Sequence, residues 1–150
     1  MHTITQKRHE NLVTLCQSVS LPADLIAQQC QALLKTPDSA FNTEQTNDID
    51  IMSKNAQQLA SKVAAVKAAD EAETYQRMST EEFARFSYTL LHDLRSSAGL
   101  ISGFSEISLL GFTGKLTDEQ KALMKHIHEL SQIMLAAFAD YQAASESFNQ

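Results

Sequence analysis

His92 is followed at once by an acid, Asp93, three residues on by a guanidinium, Arg95, and one turn on by a hydroxyl, Ser96. An imidazole held in water is a competent phosphoryl acceptor. Near neutral pH it is partly unprotonated and nucleophilic without the activation a serine needs. A carboxylate beside it can hold one ring nitrogen as the donor and leave the other free to attack. Asp93 is the candidate, although adjacent helix residues diverge by ~100°, so adjacency alone is a weak guide to contact. At that same period Phe83, Phe86, Leu90, Leu94, Ile101 and Phe104 form one apolar stripe, and His92 projects ~160° from its centre. Arg85, Tyr88, Arg95, Ser96 and side-chain-free Gly99 share the outer face. A histidine in that position fills no core. Lone surface histidines are ordinarily just solvated, and it is the acid, the hydroxyl and the glycine around His92 that set it apart.

Those residues resemble a known segment. His92-Asp93-Leu94-Arg95-Ser96, followed by Gly103-Phe104-Ser105-Glu106, is similar to the phosphoacceptor segment of the dimerisation and histidine-phosphotransfer domain of sensor histidine kinases. That family's box reads His, acid, Leu, Arg, Thr or Ser, Pro, then Gly-aromatic-x-Glu after a fixed interval. The resemblance covers about residues 79–147. It implies His92 as phosphoacceptor, Asp93 as the polarising acid and Ser96 as the position that orients a water for dephosphorylation. It also implies a response-regulator receiver domain that brings its own metal ion and acidic site, with Tyr88, Arg95 and Gly99 as candidate contacts for it. Arg95 can alternatively make surface ion pairs, and Ser96 can bond back to the preceding turn. The sequence departs from the pattern at Ser97, where Pro is usual, at Ala98, where a larger apolar residue is usual, and at Ser96, where Thr or Asn is commonest.

The elements that must position His92 are two helices. Ser79 and Glu82 form a capping box, with Met78 placed to staple onto Phe83, and the helix runs from there to about Leu110. Gly111 to Leu116 is a turn. Thr117 and Gln120 form a second capping box, with Asp118 and Glu119 complementing the helix start. Leu123, Ile127, Leu130, Met134, Ala137, Tyr141, Ala144 and Phe148 then step by four and three without a break, a coiled-coil-like seam. A hairpin alone cannot bury two such seams. The expectation is therefore an all-α fold in which two hairpins pair as a homodimer into a four-helix bundle.

Upstream, residues 3–19 read as one helix. Ser20-Leu21-Pro22 reads as an interruption, and a second helix carries Leu25, Ile26, Cys30, Leu33 and Leu34 as far as Thr36-Pro37. These would form a short N-terminal hairpin. Asp38 to Thr46 is polar and unpatterned, which suits a linker. Asn47 is a plausible N-cap for an Ala-rich helix with a narrow seam at Met52, Ala56, Leu59, Val63 and Val66. Asp70 to Arg77 is polar, either a pause or a solvated continuation. The division expected is 1–46 (hairpin and linker), 47–78 (connecting helix) and 79–150 (phosphotransfer hairpin). His126 and His128 diverge by ~160° and read as solvated. His2 and His9 have no neighbouring acid or cysteine pattern that suggests a metal, and Met52 and Met134 read as seam filler.

A chain of 150 residues that is 43% hydrophobic, with four Gly and two Pro, favours long helices. Its net charge of −6 argues against nucleic acid. The longest apolar run, Ile133 to Ala139, is far below the ~18 residues that a membrane span requires. No basic-then-apolar leader begins the chain, and Cys16 and Cys30 read as free thiols in a reducing compartment, so the expected location is cytoplasmic. All four glycines lie in the hairpin and only Asn149 and Gln150 follow Phe148. No glycine-rich nucleotide cradle exists. The expectation is thus a phosphotransfer protein with no cofactor and no metal. It takes phosphoryl onto His92 from a kinase ATP-binding domain in trans or from a phosphorylated receiver, and passes it to a response-regulator aspartate. Three alternatives stand beside it: a binding-only regulator of a response regulator or kinase, the dimerisation half of a split kinase, and a helical dimer with an incidental histidine.

Overall fold

A computed structural model describes residues 3–37 and 40–148. Four long helices account for most of it: α1 (Ile4–Leu34), α2 (Thr43–Glu71), α3 (Thr80–Leu109) and α4 (Asp118–Phe148), with a short 3-10 turn at Tyr75–Arg77 before α3. Among the described residues there is no strand.

Each helix begins with the same local device. Thr3 and Gln6, Asn42 and Gln45, Ser79 and Glu82, and Thr117 and Gln120 each exchange side-chain and backbone hydrogen bonds at a helix start. Such reciprocal bonds satisfy two of the amide donors that a helix start leaves unpaired. The last two pairs are those expected from the sequence. The cap of α2 is Asn42, not Asn47, so the helix starts earlier and the linker is shorter. The polar stretch after α2 is a pause. Glu73 adopts a positive φ of 61°, and the 3-10 turn leads into Ser79.

The expected break at Pro22 does not occur. α1 runs unbroken through it, so there is no short N-terminal hairpin. A proline inside a helix removes one hydrogen bond and crowds the preceding turn, at ~3 kcal/mol. Here Val19, Ala23 and Ile26, on both sides of it, are fully buried, as are Cys30 and Leu33. Burial of one continuous face keeps the helix intact across the proline.

α1 packs against α2 and α4, and α3 packs against the same two helices, closing a ring. Neighbours run antiparallel. At one end Asn11 on α1 donates to the Tyr141 carbonyl on α4, and Ser87 on α3 hydrogen-bonds Tyr141 through the hydroxyls. At the other end Gln120 donates to Thr36, and Asn42 donates to the Thr113 carbonyl. Leu94, Ile101, Ile127, Met134 and Tyr141 are buried here by α1 and α2 of the same chain. The premise that the α3–α4 hairpin needs a second copy to cover its seams therefore no longer holds. The buried line of α4 is also shifted. It runs Gln120, Met124, Ile127, Leu130, Ser131, Met134, Phe138 and Tyr141, while Leu123, Ala137, Ala144 and Phe148 flank it. A helix with neighbours on two sides turns a broader face inward than a two-stranded seam would.

On α3 the buried face includes Ser87, Ser97, Ala98, Ser105 and Ser108, small residues that let α3 sit close to its neighbours. The start of α3 is clamped by aromatic packing. Tyr75 stacks on Phe86 with centroids 4.3 Å apart and meets Phe83 edge-on at 6.2 Å. Buried Arg8 reaches over from α1, lies 4.5 Å from the Phe83 ring and donates to the Met78 carbonyl at 2.9 Å. His92 sits some two turns further along this anchored helix.

Candidate functional site

His92 leaves α3 on its outer face with 69% of its side chain exposed. Its neighbours in the preceding and following turns, Leu90, Leu91 and Leu94, are buried, so the backbone carrying the imidazole is rigidly seated. Nδ1 lies 3.5 Å from Asp93 Oδ1. The other oxygen of that carboxylate, Oδ2, lies 3.2 Å from Lys62 Nζ on α2. Lys62 first, and His92 second, hold the Asp93 carboxyl below its usual range. Asp93 is therefore ionised throughout the neutral range and faces the ring as a fixed negative charge.

A groove of ≈ 520 Å³ runs beside the histidine between α3, the end of α4 and the start of α1. Tyr88, His92, Arg95 and Ser96 line its α3 wall, and Gln142 and Glu146 line its α4 wall. Four of the six residues singled out from the sequence thus share one surface. Tyr88 is 75% exposed. The Arg95 guanidinium donates to Gln142 Oε1, and Gln142 donates in turn to Glu146 at 3.0 Å, so Arg95 is tethered to α4 rather than turned to His92. Ser96 is exposed, and no bond back to the preceding turn ties up its hydroxyl. Asp93 belongs to the other flank, in a shallow groove with Lys62, Arg85 and Thr89. Gly99 lies in neither groove. It is exposed, and a Cβ added there would meet nothing within 4 Å, so the chain itself does not require glycine at that position.

Lys62 and Gln142 were not singled out from the sequence. Each lies on another helix, and no local pattern points from either of them to His92. The other histidines divide. His126 is exposed, whereas His128 is half-buried rather than solvated, with Nδ1 3.0 Å from Ser105 Oγ and 3.2 Å from the Ser102 carbonyl. Ser105 donates to the Ile101 carbonyl, so it accepts from His128, and the residue is a strut between α3 and α4. His9 does have an acid partner: Nδ1 is 2.6 Å from Asp70 Oδ2, and the Asp70 side chain is 5% exposed. His2 lies outside the described residues. Met52 and Met134 are fully buried core residues. Among the described residues no group of three or more His, Cys, Asp or Glu is placed to hold a metal ion, and no helix is long and apolar enough to cross a membrane. Cys16 and Cys30 are free, buried thiols, and burial pushes Cys30 up to about 12.

Comparison with protein-family models, with curated proteins and with solved structures returned no match for this chain.

Proposed function

We propose that this protein is a histidine phosphotransfer protein, with His92 as the phosphoacceptor and an aspartate of a response-regulator receiver domain as its partner in exchange. The observation that carries the reading is a solvent-facing imidazole at mid-helix, flanked by an ionised carboxylate that is itself tied to a lysine.

In the forward step the His92 Nε2 lone pair attacks the phosphorus of an aspartyl phosphate. The N–P bond forms as the P–O bond to the donor carboxylate breaks, and that bond's electron pair returns to the donor as carboxylate. The Nδ1 proton stays on the ring, facing Asp93, whose charge offsets the positive charge the ring acquires. Transfer to a second receiver reverses these steps. A kinase ATP-binding domain acting in trans would present the γ-phosphorus of ATP to the same nitrogen, and the nucleoside diphosphate would leave with the electron pair of the broken P–O bond. Tyr88, Arg95 and the open surface at Gly99 would meet the docking receiver, and Ser96 has a hydroxyl free to orient a water. This chemistry requires one chain only. A homodimer, if formed, would join through surfaces other than the α3–α4 seams.

The test is to incubate the protein with phosphorylated receiver domains, and separately with ATP-loaded kinase domains, and to look for acid-labile phosphate on wild type and His92→Gln. Label on wild type that the variant lacks supports relay. Tight receiver binding without label on either overturns relay in favour of a binding-only regulator.

A further inference from the structure

The geometry points to Lys62 as a positioning residue for the phosphoacceptor, acting through Asp93. This rests on the reading of His92 above. Asp93 is the residue next to His92, and side chains so spaced on a helix diverge by ~100°. A half-exposed aspartate in that position has several rotamers open to it, and only some bring an oxygen near the imidazole. In the structure the carboxylate is shared: Oδ2 lies 3.2 Å from Lys62 Nζ, while Oδ1 lies 3.5 Å from His92 Nδ1. The lysine holds one oxygen on the α2 flank, and the planar carboxylate then carries its other oxygen to the ring.

Lys62 is delivered by packing rather than by sequence proximity. It lies between Leu59, Val63 and Val66, whose burial sets the rotation of α2, and Val66, Phe86 and Leu90 line the groove that it shares with Asp93. The Lys62 and Asp93 side chains are 40% and 44% exposed, so the pair contributes little to stability. Its consequence lies in orientation. With Oδ1 opposite Nδ1, the proton of the neutral imidazole is favoured on Nδ1, which leaves Nε2 as the nucleophile. The charged groups around this centre are Arg8 from α1, Lys62 from α2, Arg85, Asp93 and Arg95 from α3, and Glu146 from α4. Of these, Lys62 forms the ion pair with Asp93.

The experiment compares wild type, Lys62→Met and Lys62→Arg by nitrogen-15 NMR of the imidazole, which reads the tautomer of His92, and by the rate of labelling from a phosphorylated receiver. Lys62→Met is expected to lower the fraction carrying the proton on Nδ1 and to slow labelling about threefold, the scale of an exposed ion pair. Lys62→Arg is expected to restore both. A methionine variant with the wild-type tautomer ratio and rate overturns the inference, as does an arginine variant that falls as far as the methionine one. If wild type takes up no label, the reading of His92 fails, and the tautomer spectra alone then decide the role of Lys62.

Discussion

Two histidine–aspartate pairs in this molecule are built in opposite ways. His92 and Asp93 are adjacent in the chain, exposed, and 3.5 Å apart. His9 and Asp70 are 61 residues apart, yet their atoms lie 2.6 Å from each other and the acid is almost wholly buried. The tighter pair is the structural one. Asp70 near the end of α2 and His9 near the start of α1 clamp two antiparallel helices together, and a buried carboxylate without such a partner would be strongly disfavoured. The looser pair keeps its imidazole in water, as the proposed exchange of phosphoryl groups with another protein would require. A short distance between a histidine and an acid therefore identifies a clamp as readily as a reactive centre. Exposure and surroundings separate the two.

Four measurements sharpen or break that contrast, and the largest effect is expected at His92. His92→Gln should abolish acid-labile phosphate uptake while leaving stability within about 0.5 kcal/mol, because the side chain is 69% exposed. Label retained on the variant would move the acceptor elsewhere. Asp70→Ala should behave in the opposite sense, with uptake intact but stability lowered by about 1–3 kcal/mol as the buried bond to His9 is lost. For a chain of this size that is a drop of about 2–4 °C in melting temperature per kcal/mol, readable by calorimetry. An unchanged melting temperature would show that the clamp is idle.

Asp93→Asn should slow phosphoryl uptake by about tenfold, with no change in melting temperature, since an amide keeps the shape but not the charge that orients and stabilises the ring. Equal rates for both proteins would leave the acid without a role. The smallest expected effect concerns the buried thiol between α1 and its neighbours. Folded Cys30 is pushed up to about 12 by burial, whereas an unfolded thiol titrates near ~8.5. Its contribution to stability is fully present below that unfolded value and is lost as pH rises toward 12, with a slope of at most ~1.4 kcal/mol per pH unit. Denaturant titrations at pH 8 and 9.5 should show this alkaline loss, and Cys30→Ala should reduce it, leaving the share of Cys16, whose thiol burial also pushes up.

Much of the local structure around His92 could be read from residue order, because it depends on bonds spanning three or four residues. The Ser79–Glu82 and Thr117–Gln120 boxes marked both helix starts, and the helical period placed the imidazole outward. Pro22 misled because its local penalty is visible in the sequence while the compensating burial of Val19, Ala23 and Ile26 is not. The stepping of Leu12, Cys16, Val19, Ala23, Ile26, Cys30 and Leu33 straight across the proline was the signal for a single helix. The α4 seam was read one line away from its buried centre. Met124 and Phe138 were apolar and in register, but only the presence of neighbours on both sides of α4 selects that line.

The sequence by itself determined where α3 and α4 begin and the direction in which His92 leaves α3, since capping bonds and a ~100° step per residue are properties of a few consecutive residues. Only the tertiary structure decided that α1 and α2 cover the α3–α4 seams within one chain. It also decided that Lys62 reaches Asp93, that Arg95 is tied to Gln142, and that Asp70 finds His9. Those contacts join residues tens of positions apart, and their geometry follows from how four amphipathic faces share one core rather than from any one of them alone.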